Sequence, residues 1–238
     1  MNEFLLIASL LISFGMALLF FYYFGKSGCI VWVTLCTVFA NIEVTILVNA
    51  FGIEQTLGNT LFASSFLATD FLSEFYSKED AGKGVKLGIA GAVVFIIFSS
   101  MWQLYTPSEN DWAMQSIKTL FSNTPRILIA SLSAYAISEV LDVNLYHAIW
   151  KYTENKTSSR ETFLWLRNNG ATLTAQAVNA IVFNAGAFWG MYDSKTLFSI
   201  TLASYLIYIA TSLLDTPFLY TARILHKRKN SKQNNGII

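Results

Sequence analysis

Apolar residues fall in seven long runs separated by short polar stretches. A helix needs about 20 mostly apolar residues to cross a bilayer. The runs cover about Phe4–Phe24, Ile30–Phe51, Leu57–Tyr76, Val85–Tyr105, Thr124–Trp150, Phe163–Gly190 and Leu197–Leu225. Barrel strands are about half that length and alternate in polarity, so the runs predict helices. The fold class expected is all-α, a polytopic membrane helix bundle of about seven transmembrane helices. Thr106–Asn123 forms the one long connection, with Trp112, Met114 and Ile117 among polar residues, and reads equally as a loop or a short interfacial helix. The polar, basic tail from His226 to Asn235 is expected to fray.

Composition agrees. Hydrophobic residues make up 54% of the 238-residue chain and charged ones 13%, against roughly a quarter charged in soluble domains. Two cysteines are too few for a disulfide scaffold. Cys29 and Cys36, about 10 Å apart along a helix axis, cannot bridge and read as packed residues. A net charge of +1 leaves no basic footprint for nucleic acid. The N-terminus, MNEF, lacks the basic residue of a signal peptide, so the first run is expected to stay as a helix.

Charge placement orients the bundle. With seven spans, only Lys118, Arg126 and Lys195 of the 16 Lys and Arg fall on one side. Bases gather on the cytoplasmic side, which places the N-terminus outside and the C-terminus in the cytoplasm.

Carboxylates in membrane helices are costly and mark pathways or ligand sites. Six fall within or at the ends of the spans: Glu43, Asp70, Glu74, Glu139, Asp142 and Asp215. Glu43 follows Asn41 near the middle of the second run. Asp70 and Glu74, four apart, share a helix face and repel; Glu74 also reads as an interfacial partner of Lys78. Arg126 follows Pro125 at the outer rim. Ser131, Tyr135, Glu139 and Asp142 fall on one face of the fifth run. Asn168, Thr172, Gln176, Asn179 and Phe183 form a stripe on the sixth, where amides either read a ligand edge or tie helices together. Tyr205, Tyr208, Ser212 and Asp215 follow on the seventh, before Pro217, which should kink or end the helix. An acid-rich interior favours a cation, a proton or a ligand with several N–H groups. A guanine-like base, with N1–H and N2–H₂ side by side, suits one carboxylate.

An enzyme is not expected. No Gly-x-Gly-Asp, Gly-x-Ser-x-Gly or His-Glu-x-x-His motif occurs, and no phosphate-binding loop. No catalytic residue, metal or cofactor is called for.

Asn41-Ile42 with Gly52 and the run Phe66-Leu67-Ala68-Thr69-Asp70-Phe71-Leu72-Ser73-Glu74-Phe75-Tyr76 resemble the signature of the queuosine precursor transporters, or vitamin uptake transporter family. So do Arg126 with Ala130-Ser131, Ala134-Tyr135 and Leu141-Asp142-Val143, and then Trp165-Leu166-Arg167-Asn168-Asn169 with Gln176, and Thr216-Pro217 with Tyr220. The resemblance implies an inner-membrane importer of deazaguanine precursors or queuine for tRNA modification, without a dedicated ATPase. It implies a six-helix core similar to the binding subunits of energy-coupling-factor transporters. The division expected is an added N-terminal helix over 1–28, the core over 29–225 and a basic tail over 226–238. The site would be lined by Asn41, Asp70, Glu74, Arg126, Tyr135, Asp142, Asn168 and Gln176, with Glu43 or Glu139 as the candidate for proton coupling. Glu139 and Asn179 join by helix face. Three positions depart from the family's pattern: Asn179 where aspartate is common, Tyr208 where lysine occurs, and Glu139 where glutamine is common. The alternative reading is a binding subunit for another vitamin-like compound, energised by an external module. The expected partners are a small purine-like substrate and the lipid bilayer, not nucleic acid, with a homodimer left open.

Overall fold

The computed structural model describes residues 1–122, 125–157 and 162–235. The chain is an all-α bundle with one small hairpin. Its elements are α1 (Asn2–Glu43), β1 (Leu47–Ala50), β2 (Ile53–Thr56), α2 (Gly58–Phe75), α3 (Lys78–Trp102), α4 (Met114–Ser122), α5 (Pro125–Thr157), α6 (Leu164–Phe188) and α7 (Ser194–Asn235). Four helices, α1, α3, α5 and α7, are long and apolar enough to cross a membrane. The two shorter long helices, α2 and α6, carry much of the buried polarity, which lowers their hydropathy.

Helix α1 is two passes, not one. At Gly25 the backbone leaves the helical region, with φ 60° and ψ −135°, a conformation that glycine tolerates. The chain reverses there, and the second half returns to the end where Asn2 donates from Nδ2 to the Asn49 carbonyl of the hairpin. Gly28 completes the turn, because a Cβ there would lie 2.1 Å from the Phe20 carbonyl oxygen. Gly28→Ala is therefore expected to destabilise the protein, on the order of 1–3 kcal/mol for overpacking, read as a lowered unfolding midpoint of the purified chain. An unchanged midpoint would show that the turn opens freely.

The second run was expected to be helical to Phe51. The helix ends at Glu43 instead, and β1 pairs antiparallel with β2 in the register Ala50↔Ile53 and Leu47↔Thr56. Thr45, Ile46 and Val48 are β-branched and favour strand. Phe51 and Gly52 both have positive φ, 54° and 73°, which a two-residue hairpin turn requires. An apolar run alone does not separate such a strand from helix.

The other boundaries lie within a few residues of expectation, with three extensions, of which α5 runs on from Trp150 to Thr157. Helix α3 starts at Lys78, where the Ser77 hydroxyl accepts from the Asp80 amide. Helix α7 continues through Pro217 to Asn235, so the basic segment expected to fray is helical, and Lys229 Nζ donates to the Tyr22 carbonyl. The connection after α3 holds the short helix α4, whose Phe121 packs on Phe95 and Trp102.

Helix α2 is the central post. Asn59–Ser73 is almost wholly buried, apart from the intermediate Leu61. Its Leu67, Phe71 and Leu72 share a core with Leu10, Phe14, Ala17 and Phe21 of α1 and with Leu219 and Ala222 of α7. Ser64 ties this packing to α1, donating to the Ser13 carbonyl and accepting from Trp32 Nε1. The outer helices expose Ile12, Val94, Phe98, Ile137, Leu206 and Leu213, an apolar periphery suited to lipid rather than water. Cys29 and Cys36 are free and buried.

Candidate functional site

Burial places α2, α5, α6 and α7 around a shared polar interior. From α2 come Ser65, Thr69, Asp70 and Ser73; from α5, Tyr135, Ser138, Glu139 and Asp142. Helix α6 adds Asn168, Thr172, Gln176 and Asn179, and α7 adds Tyr208, Ser212 and Asp215. All are buried. Four of them are carboxylates. Polar groups in such surroundings need partners, and the partners sort the residues into roles.

Glu139 is satisfied by the protein. Its Oε1 accepts from Ser65 Oγ at 2.8 Å and its Oε2 from Thr69 Oγ1 at 3.0 Å. Tyr135 reaches the same group through a 3.2 Å contact with Ser65 Oγ. Asp215 Oδ1 accepts from Asn168 Nδ2 at 3.0 Å. Asn179 donates to Ser138 Oγ at 3.0 Å and accepts from the Tyr208 hydroxyl at 3.3 Å, and that hydroxyl also contacts Asn59 Oδ1 at 3.1 Å. Two of the positions that depart from the family pattern, Asn179 and Tyr208, thus touch each other.

Asp70 and Asp142 stand differently. Both are fully buried, and none of their four oxygens receives a full hydrogen bond, the Thr172 hydroxyl lying close to Asp142. The charged groups nearest Asp70 are Asp142, Asp215, Glu139 and Glu74, all acids. Asn168 Oδ1, Gln176 Oε1, Ser73 Oγ and Thr172 Oγ1 are unpartnered as well. The orphans include six pure acceptors and two hydroxyls. Among the described residues, no three His, Cys, Asp or Glu side chains are placed to hold a metal ion.

Toward the end carrying the C-terminal tail, the site has a charged floor. Glu74 accepts from Arg167 Nη2 at 2.8 Å on each oxygen, from Arg223 Nη2 at 2.6 Å and from the Tyr146 hydroxyl at 2.8 Å. The Arg167 guanidinium lies over the Trp150 ring, 4.3 Å from its centroid. Of Glu74's two readings, the solvated pair with Lys78 is replaced by a buried knot joining α2, α5, α6 and α7. Below it opens a cleft of about 520 Å³, lined by Ser73, Glu74, Tyr76, His147, Trp150 and Lys151. On the hairpin side, Asn59, Phe62, Ser131, Asn179, Phe183 and Tyr208 surround a space of about 10 Å³, room for about one water.

The remaining candidates lie apart. Arg126 is exposed and donates from Nε to the Gly186 carbonyl and from Nη2 to the Trp189 carbonyl, which caps the end of α6. Asn41 is buried near the end of α1 and bonds the Thr37 carbonyl. Glu43, expected at mid-span, is the last residue of that helix and half-buried, with Oε2 unpartnered. Sequence reasoning missed Ser65, Ser138, Asn59 and Tyr146. The signal for three of them was present: Ser65, Thr69 and Ser73 are four apart, and Ser138 and Tyr146 continue the stripe of Tyr135 and Asp142.

A family model described as "Putative vitamin uptake transporter" matches residues 56–222. A Bacillus subtilis (strain 168) protein named "Probable queuosine precursor transporter" is 36% identical over 213 residues, covering 90% of this chain and 91% of that one. No solved structure matches the chain.

Proposed function

Since the chain belongs to the vitamin uptake transporter family and is a multi-pass membrane protein, we propose that it imports a queuosine precursor, a deazaguanine base or queuine, across the bacterial inner membrane for tRNA modification. The observation that carries this reading is the set of acceptor oxygens left without donors on Asp70, Asp142, Asn168 and Gln176. A buried acceptor without a partner costs about 1–3 kcal/mol, more if charged, and a donor-rich ligand removes that cost. Asp70 takes the N1–H and N2–H₂ edge. Gln176 donates from Nε2 to the neighbouring carbonyl, which leaves its Oε1 an acceptor. Asn179 is already held by Ser138 and Tyr208, so it shapes the site rather than reading the ligand. The N-terminus lies outside and the basic tail in the cytoplasm, by the distribution of Lys and Arg.

Transport follows from two barriers. The narrow space beside Asn179 and Tyr208 closes the hairpin side, and the Glu74 knot separates the carboxylates from the open tail-side cleft. A substrate bound between them leaves when the floor loosens.

The direct test is uptake by the purified chain in liposomes, with and without an imposed proton gradient. Queuine and the aminomethyl and cyano deazaguanines serve as substrates and guanine as competitor. At least one deazaguanine should accumulate. If none binds or crosses at millimolar concentration, the assignment is wrong. Accumulation only with an added energising subunit would favour the binding-subunit reading.

A further inference from the structure

The charge balance of the interior goes further than a base edge requires. Four carboxylates, Asp70, Glu139, Asp142 and Asp215, are at most 1% exposed. Glu139 is held by hydroxyls and Asp215 by an amide; these are neutral donors and bring no countercharge. The buried Arg167 and the partly exposed Arg223 both bind Glu74 at the floor. A neutral base edge can satisfy one unpartnered carboxylate. It leaves the second buried beside other acids, where the ionised form is expensive.

We propose that the ligand of this site is a cation: a flat base whose N–H edge meets Asp70 and whose protonated primary amine is seated at Asp142. This rests on the queuosine-precursor reading above and narrows it to the amine-bearing members of the class. The second observation is the pair of α6 oxygens on the side of Asp142. Thr172 Oγ1, whose hydroxyl lies close to Asp142, and Gln176 Oε1 are buried to 1% exposure or less, neither makes a full hydrogen bond, and both lie on the face of α6 that meets α5. An ammonium has three donors and no acceptor. A carboxylate, a hydroxyl and an amide oxygen together complete it. A nitrile in the same place offers no donor and no charge, and would leave all of these oxygens unpaired.

The test is a binding comparison on the full chain in lipid nanodiscs at neutral pH, with 7-aminomethyl-7-deazaguanine against 7-cyano-7-deazaguanine. The amine should bind at least tenfold more tightly. In Asp142→Asn, the ratio should fall toward one, with folding checked by the thermal midpoint. If that variant fails to fold, the wild-type ratio alone still decides. Equal affinities, or tighter nitrile binding, overturn the proposal while leaving the transporter reading intact, and mean that the carboxylates are neutralised by protons instead. If neither compound binds, this proposal fails, while the precursor reading is still decided by the uptake test that includes queuine.

Discussion

Asp70→Asn is expected to abolish uptake while leaving the protein folded, with an unfolding midpoint equal to or above that of the wild type. The two halves of that result come from one fact. Asp70 is fully buried and unpartnered among acids, so in the empty protein its charge is a liability. The amide has the same shape and carries no charge, and relieving a buried like-charge contact stabilises. Binding moves the other way. A carboxylate accepts two N–H donors at once, whereas an amide offers one acceptor and places an N–H against the ligand's own donors. Sites built to pair a hydrogen-bonding edge discriminate by factors of about 10⁴ or more when the pairing is lost. The measurement pairs initial uptake rate with thermal unfolding of the purified protein. Uptake at the wild-type rate removes Asp70 from the site. Loss of uptake together with loss of folding makes it a structural residue.

Glu74→Ala is expected to be the most destabilising single change in the bundle. Glu74 is 5% exposed and faces Arg167 at 0% and Arg223 at 17%. Removing it takes the paired carboxylate from the fully buried Arg167 and the partly buried Arg223. Breaking a buried ion pair by deleting one partner costs about 3–5 kcal/mol, and the Tyr146 hydroxyl loses its acceptor as well. The expected readout is a large fall in the unfolding midpoint and in the yield of folded protein. Glu74→Gln, which keeps the hydrogen bonds but not the charge, should fall between. Had Glu74 been an interfacial partner of Lys78, its removal would cost under about 1 kcal/mol. A small effect would therefore return it to that role.

The helical passes were legible because their signal is long and repeated. Runs of about twenty apolar residues, broken by Lys-rich turns, specify crossings even where individual helices are too polar to pass a hydropathy threshold. The hairpin was not legible, because Leu47–Ala50 is apolar in the same way as the helix before it. Only Phe51-Gly52 marks the reversal, and a phenylalanine in left-handed conformation is a poor advertisement for a turn. The site was half legible. Spacing put Tyr135, Glu139 and Asp142 on one face and Asn168, Gln176 and Asn179 on another, and the structure brings those faces together with Asp70. Spacing does not say which polar groups satisfy each other. Ser65 and Thr69 look like ordinary helix hydroxyls, yet they take up Glu139 and so separate it from the unpaired Asp70. Arg126 and Arg167 carry the same charge at helix ends; one caps a carbonyl terminus at the surface and the other is locked under Trp150. That difference arises from helix packing, which no local pattern encodes.

The reversal at Gly25 bears on how the chain is made. With one non-helical residue between them, the two passes of α1 have no loop on which either could wait outside the bilayer. They form one tight helical hairpin. Lys26 stands at the tip of that hairpin and is the one Lys or Arg before Lys78. Its salt bridge, to both oxygens of Asp80 at 3.2 Å, comes from a residue 54 positions later. The one basic charge of these two passes thus meets its acidic partner only once α3 has begun to be made.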